Sequence, residues 1–102
     1  MRILLLLALI AVPLSAHARD DSDRIAQLIA STDGRTKETA FKVKSVAEEY
    51  QILAALKLKP GSQDLIIGPD RHPYDMLTAT DSATGADREV WFDIKSFYGK
   101  EF

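Results

Sequence analysis

Ser45-Val46-Ala47-Glu48-Glu49-Tyr50-Gln51-Ile52-Leu53-Ala54-Ala55-Leu56-Lys57, running into Leu58-Lys59-Pro60-Gly61, is the stretch on which the fold turns. Its first four residues have the form of a capping box. The serine oxygen can accept from a first-turn amide, and Glu48 can reach back to the Ser45 amide. At about 100° per residue, Val46, Tyr50, Ile52, Leu53 and Leu56 cover a wide arc. Glu48, Gln51 and Ala55 fill the opposite side. An arc that wide suits a helix laid across a sheet. Lys57 and Lys59 complement the negative helix end, and Pro60-Gly61 is expected to stop the helix.

Downstream the pattern changes to period two. Asp64 to Ile67 reads as a short strand ended by Gly68-Pro69, and Asp70-Arg71-His72-Pro73 as a turn. Tyr74 to Thr80 is a second strand, with Tyr74, Met76 and Thr78 on one face and Leu77 and Ala79 on the other. Asp81-Ser82-Ala83-Thr84-Gly85 is a loop, and Arg88 to Ile94 a third strand with Val90, Phe92 and Ile94 on one face. Short connections favour an antiparallel meander. Phe97, Tyr98 and Phe102 make the C-terminal segment too apolar for an idle tail, so it is expected to pack back on the domain.

Upstream, Ser22 to Ser31 reads as a helix capped by Ser22, with Ile25, Leu28 and Ile29 as its apolar stripe and Thr32-Asp33-Gly34 as its end. Ala40-Phe41-Lys42-Val43-Lys44 alternates, which suits a short extended segment burying Phe41 and Val43. The expectation is an α+β domain: two helices packed on a small antiparallel sheet of three strands, with room for a fourth.

The chain opens with Met1-Arg2, then the uninterrupted apolar run Ile3 to Val12, a break at Pro13-Leu14-Ser15, and small residues at Ala16 and Ala18. That order is the order of a secretion signal. The run is too short to span a bilayer, which needs about 20 apolar residues. Residues 1–18 are therefore expected to be removed and residues 19–102 to form one domain, located in a bacterial periplasm or secreted. Removing the leader takes Arg2 alone from the 13 Lys+Arg, leaving 12 against 15 Asp+Glu. A slightly acidic chain without a basic tract has no electrostatic reason to bind nucleic acid or anionic lipid. The chain contains no cysteine, which excludes thiol catalysis, thiolate metal sites and disulfides.

Gly34-Arg35-Thr36, Ala40-Phe41-Lys42-Val43, Ser45-Val46, Glu49-Tyr50-Gln51-Ile52-Leu53, Tyr74-Asp75-Met76-Leu77, Trp91-Phe92-Asp93-Ile94 and Phe97-Tyr98-Gly99-Lys100 together resemble a family of small secreted bacterial domains of unknown function. The resemblance spans most of the mature chain and implies secretion and a single α+β domain. It carries no established active residues.

Sites for chemistry are few. His72, the one histidine after the leader, stands beside Asp70 and Asp75, a set that could bind a metal or move a proton. Arg71 would repel a cation there, and a solvated turn with Asp70 bonding the backbone accounts for the same residues. No nucleophile elbow or phosphate loop is present. Lys42, Lys44, Lys57 and Lys59 sit among glutamates as solvated faces. Trp91 points away from Val90, Phe92 and Ile94, either packed under the N-terminal segment or exposed as an anchor for a partner. The expected role is non-enzymatic: binding or inhibition of a protein partner in the cell envelope through Trp91, Phe97, Tyr98, Arg71 and His72, with no metal or cofactor. The alternatives are a small hydrolase using carboxylates or His72, and a self-associating structural protein. Neither a stable membrane anchor after cleavage nor a catalytic residue is expected.

Overall fold

The structure, a computed structural model, describes residues 16–100. The leader and Phe102 therefore lie outside the described residues, apart from Ala16 to Ala18. The elements are α1 (Ala16–Ser31), a 3-10 turn (Lys37–Thr39), β1 (Phe41–Lys42), α2 (Val46–Ala55), β2 (Leu58–Ile67), β3 (Pro73–Asp81) and β4 (Asp87–Asp93). The sheet order is β1-β4-β3-β2. β2, β3 and β4 form the expected antiparallel meander, but β1 runs parallel to β4, so the sheet is mixed.

The position of α2 accounts for that order. Ten helical residues span about 15 Å, and three interstrand gaps span about 14 Å. The helix therefore carries the chain from one edge of the sheet to the other. β1 is left on one edge, β2 starts on the opposite edge, and the β3–β4 hairpin fills the space between. β4 ends up beside β1, where only a parallel pairing is available.

The helices pack on one face of the sheet. Phe41 and Val43, Leu77 and Ala79, and Val90, Phe92 and Ile94 are buried there with Ile52 and Leu53 of α2, Ile25 of α1 and Phe97 of the C-terminal turn. Each fully buried side chain of this size contributes about 1.5–3 kcal/mol. Leu28, Ile29, Val46 and Leu56 pack on the margin. The stripe on α2 differs from the expected arc: Glu49 is buried with Ile52 and Leu53, and Tyr50 is exposed. Positions 46, 49, 53 and 56 follow the three-and-four spacing of a helix face, and Glu49 stands on that line. Tyr50 lies one residue to the side of it.

Three boundaries move. α1 is already helical at Ala16, the first described residue, and runs through Ser22 instead of being capped there. α2 ends at Ala55 with Leu56 as its C-cap, before Pro60-Gly61, because Lys57 takes a left-handed conformation (φ 61°) and turns the chain. β2 then begins at Leu58 and includes Pro60 and Gly61, with a register shift between Pro60 and Gln63. A proline without an N–H is tolerated because β2 is an edge strand. Gly61 is required by proximity: a Cβ there would lie 2.6 Å from the Thr78 carbonyl oxygen.

The cap of α2 is shared between two residues. Ser45 Oγ accepts from the Glu48 amide at 3.2 Å, as expected. Glu48, however, accepts the Lys44 amide at 2.7 Å and is gripped by Arg24 at 2.7 and 3.2 Å, which ties α1 to α2. Burial raises the Glu48 carboxyl, but the Arg24 hydrogen bond, the Lys44 amide and both positive charges outweigh it, and the carboxyl is held below its usual range. A carboxylate with a lower value folded than unfolded contributes stability above the unfolded value, and loses it as pH falls through the folded one. Thermal melts are expected to drop on acidification below about pH 4.3. Glu48→Gln should cost about 1 kcal/mol at neutral pH and flatten that acid limb. Identical acid limbs in both proteins would remove Glu48 from the account.

Candidate functional site

The second face of the sheet carries no α-helix among the described residues, and Tyr74, Met76 and Trp91 on it are half-buried. Strand alternation places Tyr74, Met76, Thr78 and Thr80 of β3 there, with Glu89, Trp91 and Asp93 of β4. Cross-strand register sets Met76 against Trp91 and Tyr74 against Asp93, with Ile66 of β2 on the other side of Tyr74. Trp91 and Tyr74 meet edge to face with ring centroids 6.1 Å apart, and His72 stacks on Tyr74 at 4.7 Å. A continuous aromatic row, His72–Tyr74–Trp91, therefore crosses this face.

Each member of the row is held in place. The Trp91 indole N–H donates to Glu89 Oε1 at 3.2 Å, and its amide donates to the Gly34 carbonyl at 2.7 Å. The second bond extends the sheet edge beyond the two residues of β1, and Arg88 closes the same edge by donating to the Asp33 carbonyl at 2.7 Å. His72 Nε2 lies 2.8 Å from Asp93 Oδ1 at ion-pair distance, without the in-line angle of a hydrogen bond. Asp93 Oδ1 also accepts the Lys95 amide at 3.0 Å. The Tyr74 hydroxyl is pushed up, first by burial and then by the negative charges of Asp93, Asp70 and Glu38. It stays a neutral phenol and can donate to a ligand.

Below His72 and Asp93 a cleft of about 710 Å³ opens at the C-terminal ends of β1 and β4. Arg24, Lys42, Lys44, Lys95 and Lys100 line it with Ser96. Lys42 and Lys44 are thus part of a wider cationic edge, assembled from segments about fifty positions apart, which no local pattern announces. The Ser96 hydroxyl is committed to the Val43 carbonyl at 3.0 Å.

The expected site residues separate on this map. Trp91 and His72 share the aromatic row, together with Tyr74. Arg71 sits in the preceding turn in a left-handed conformation (φ 67°), exposed and outside the row. Asp70 bonds the His72 amide at 3.1 Å, as a turn residue should. Phe97 is buried in the core and supports the surface from beneath rather than being presented on it. Tyr98 is partly exposed on the helix-bearing side, not on the aromatic face. Ala16 and Ala18 fall in the first turns of α1. Tyr74, which is not among the expected site residues, stands between His72 and Trp91, on the face that its period-two partnership with Met76 and Thr78 implies. Among the described residues no three acidic or histidine side chains converge as metal ligands, and no helix is long and apolar enough to cross a membrane.

A two-layer α+β domain with helices on one sheet face and, among the described residues, an aromatic row on the other is the class these features define. The chain belongs to the family described as domain of unknown function DUF4919, whose family model matches residues 15–101. No curated protein and no solved structure matches the chain.

Proposed function

We propose that the protein is an exported, non-enzymatic binding module that masks or holds a protein partner in the cell envelope through the sheet face opposite its helices. The observation that carries this reading is the His72–Tyr74–Trp91 row, fixed by Glu89, Asp93 and Gly34 on that face. Tyr and Trp supply large, rigid contact area with a polar handle, the chemistry enriched at binding hot spots. Export rests on the leader, whose removal after Ala18 should leave Arg19 as the first residue of the periplasmic form.

The test uses the single tryptophan. Immobilised mature protein is expected to retain one stoichiometric partner from envelope extract, with a change in Trp91 emission when the purified pair is mixed. Trp91→Ala combined with Tyr74→Ala should abolish retention, since loss of a central anchor costs about 2–4 kcal/mol, or thirtyfold and more in affinity. No partner across several growth conditions, or retention unchanged in the double variant, would sink the reading.

A hydrolytic reading has one observation in its favour, the His72–Asp93 contact above a cleft. It requires turnover that disappears in His72→Ala while the thermal melt is preserved.

A further inference from the structure

On the helix-bearing side, away from the aromatic row, β3 buries a carboxyl with one oxygen that the protein leaves without a hydrogen-bond partner. Asp75 stands between Leu65 of β2 and Phe92 of β4 in the register of the sheet and is 3% exposed. Its Oδ2 is buried without a hydrogen-bond partner. A native fold rarely leaves such an atom unpaired unless water, an ion or a ligand completes it. Asp75 also lines an open pocket of about 380 Å³, whose walls are Leu65, Ile94 and Tyr98, with Gln63 and Gly99 at the rim. Leu65 is 51% exposed and Tyr98 38%, so both present apolar surface to the pocket. Gln63, the one rim residue with an amide donor in its side chain, makes no hydrogen bond to Asp75.

We infer that this pocket binds a small organic amine, with its ammonium group on Asp75 and its hydrocarbon body between Leu65, Ile94 and Tyr98. The chemistry follows from what is missing. The Asp75 oxygen accepts and needs a donor, and an ammonium brings three donors and a complementary charge. The walls need carbon, and the volume lies at the small end of ligand pockets. A carboxylate or phosphate ligand would face the Asp75 carboxyl and is excluded by the same argument. Strand β3 holds Asp75 between β2 and β4, and the exposed rim at Gly99 and Tyr98 on the C-terminal turn leaves the pocket open to the ligand.

Benzylamine and n-butylamine are the probes, with toluene as the matched hydrocarbon lacking the donor. Amide chemical shifts of the full mature chain are followed during titration. Saturable shifts at Leu65, Asp75, Ile94 and Gly99 are expected with either amine, and none with toluene at equal concentration. Asp75→Asn, which keeps the shape and brings its own donor, should weaken amine binding about tenfold or more. Leu65→Ala, at an exposed position that the fold does not depend on, should also weaken it and keeps the test open if Asp75→Asn fails to fold. Non-saturating shifts, amine binding undiminished in both variants, or shifts confined to the cationic cleft would overturn the assignment and leave water as the completing group. Trp91 lies on the other face, so its emission should not respond to the amines. Failure here is therefore distinguishable from failure of the aromatic platform.

Discussion

Gly34→Ala is expected to destabilise the domain by about 2–5 kcal/mol. Two costs combine. Gly34 adopts φ +64°, a left-handed conformation that costs an L-residue about 1–2 kcal/mol. A Cβ there would also stand 2.2 and 2.5 Å from carbons of the Phe41 ring, which is buried and cannot swing away. Forcing extra volume into a packed site costs about 1–3 kcal/mol more. The backbone at Gly34 bonds Thr39 and Trp91, so the damage should also reach the aromatic face. Urea unfolding measures the loss, and Trp91 emission should shift in the folded variant. The clash has its own check. In a Phe41→Ala background the same change should cost only the conformational part, because interacting sites are non-additive. Full additivity would show that the ring contact contributes nothing.

Phe92→Ala should cost about 3–5 kcal/mol, the range for truncating a buried aromatic. Phe92 lies at the centre of the helix-bearing face, fully buried, with its ring 6.0 Å from Phe41 across the one parallel strand pair. The cavity would open under α2, between strands that cannot collapse without breaking the sheet. A domain of this size has about 5–15 kcal/mol in total, so the variant should sit near the edge of folding at ambient temperature. The denaturant midpoint should fall with an unchanged slope. Phe92→Leu, which keeps most of the volume, should cost less than half as much. A small loss for the alanine variant would mean that the core closes up, and that the sheet is less rigid than its register implies.

Much of this fold was legible residue by residue. The three-and-four spacing of Ile25, Leu28 and Ile29 marked the inner face of α1. The alternation of Val90, Phe92 and Ile94 against Trp91, and of Leu77 and Ala79 against Tyr74 and Met76, assigned both sheet faces. Phe41 and Val43 were correctly placed in the core. What escaped were features with non-local causes. Tyr50 matches the apolar composition of the α2 arc, but Glu49 holds the inward position on the helix. Pro60-Gly61 looked like a helix stop, although the left-handed turn at Lys57 acts earlier and an edge strand accommodates the proline. The cationic edge joins Arg24, Lys42, Lys44, Lys95 and Lys100 only after folding.

Taken alone, the sequence determined the α+β class, the extent of β3 and β4 to within a residue at each end and the face their side chains turn to, because period and turn chemistry are local properties of the chain. Tertiary structure alone decided that β1 would run parallel beside β4, that His72, Tyr74 and Trp91 would form one row on the sheet face opposite the helices, and that Asp75 would be buried beside an open pocket. Those outcomes depend on which distant segments become neighbours. That is set by the span of α2 across the sheet and the burial it achieves, a balance summed over the whole core that no short stretch of residues contains.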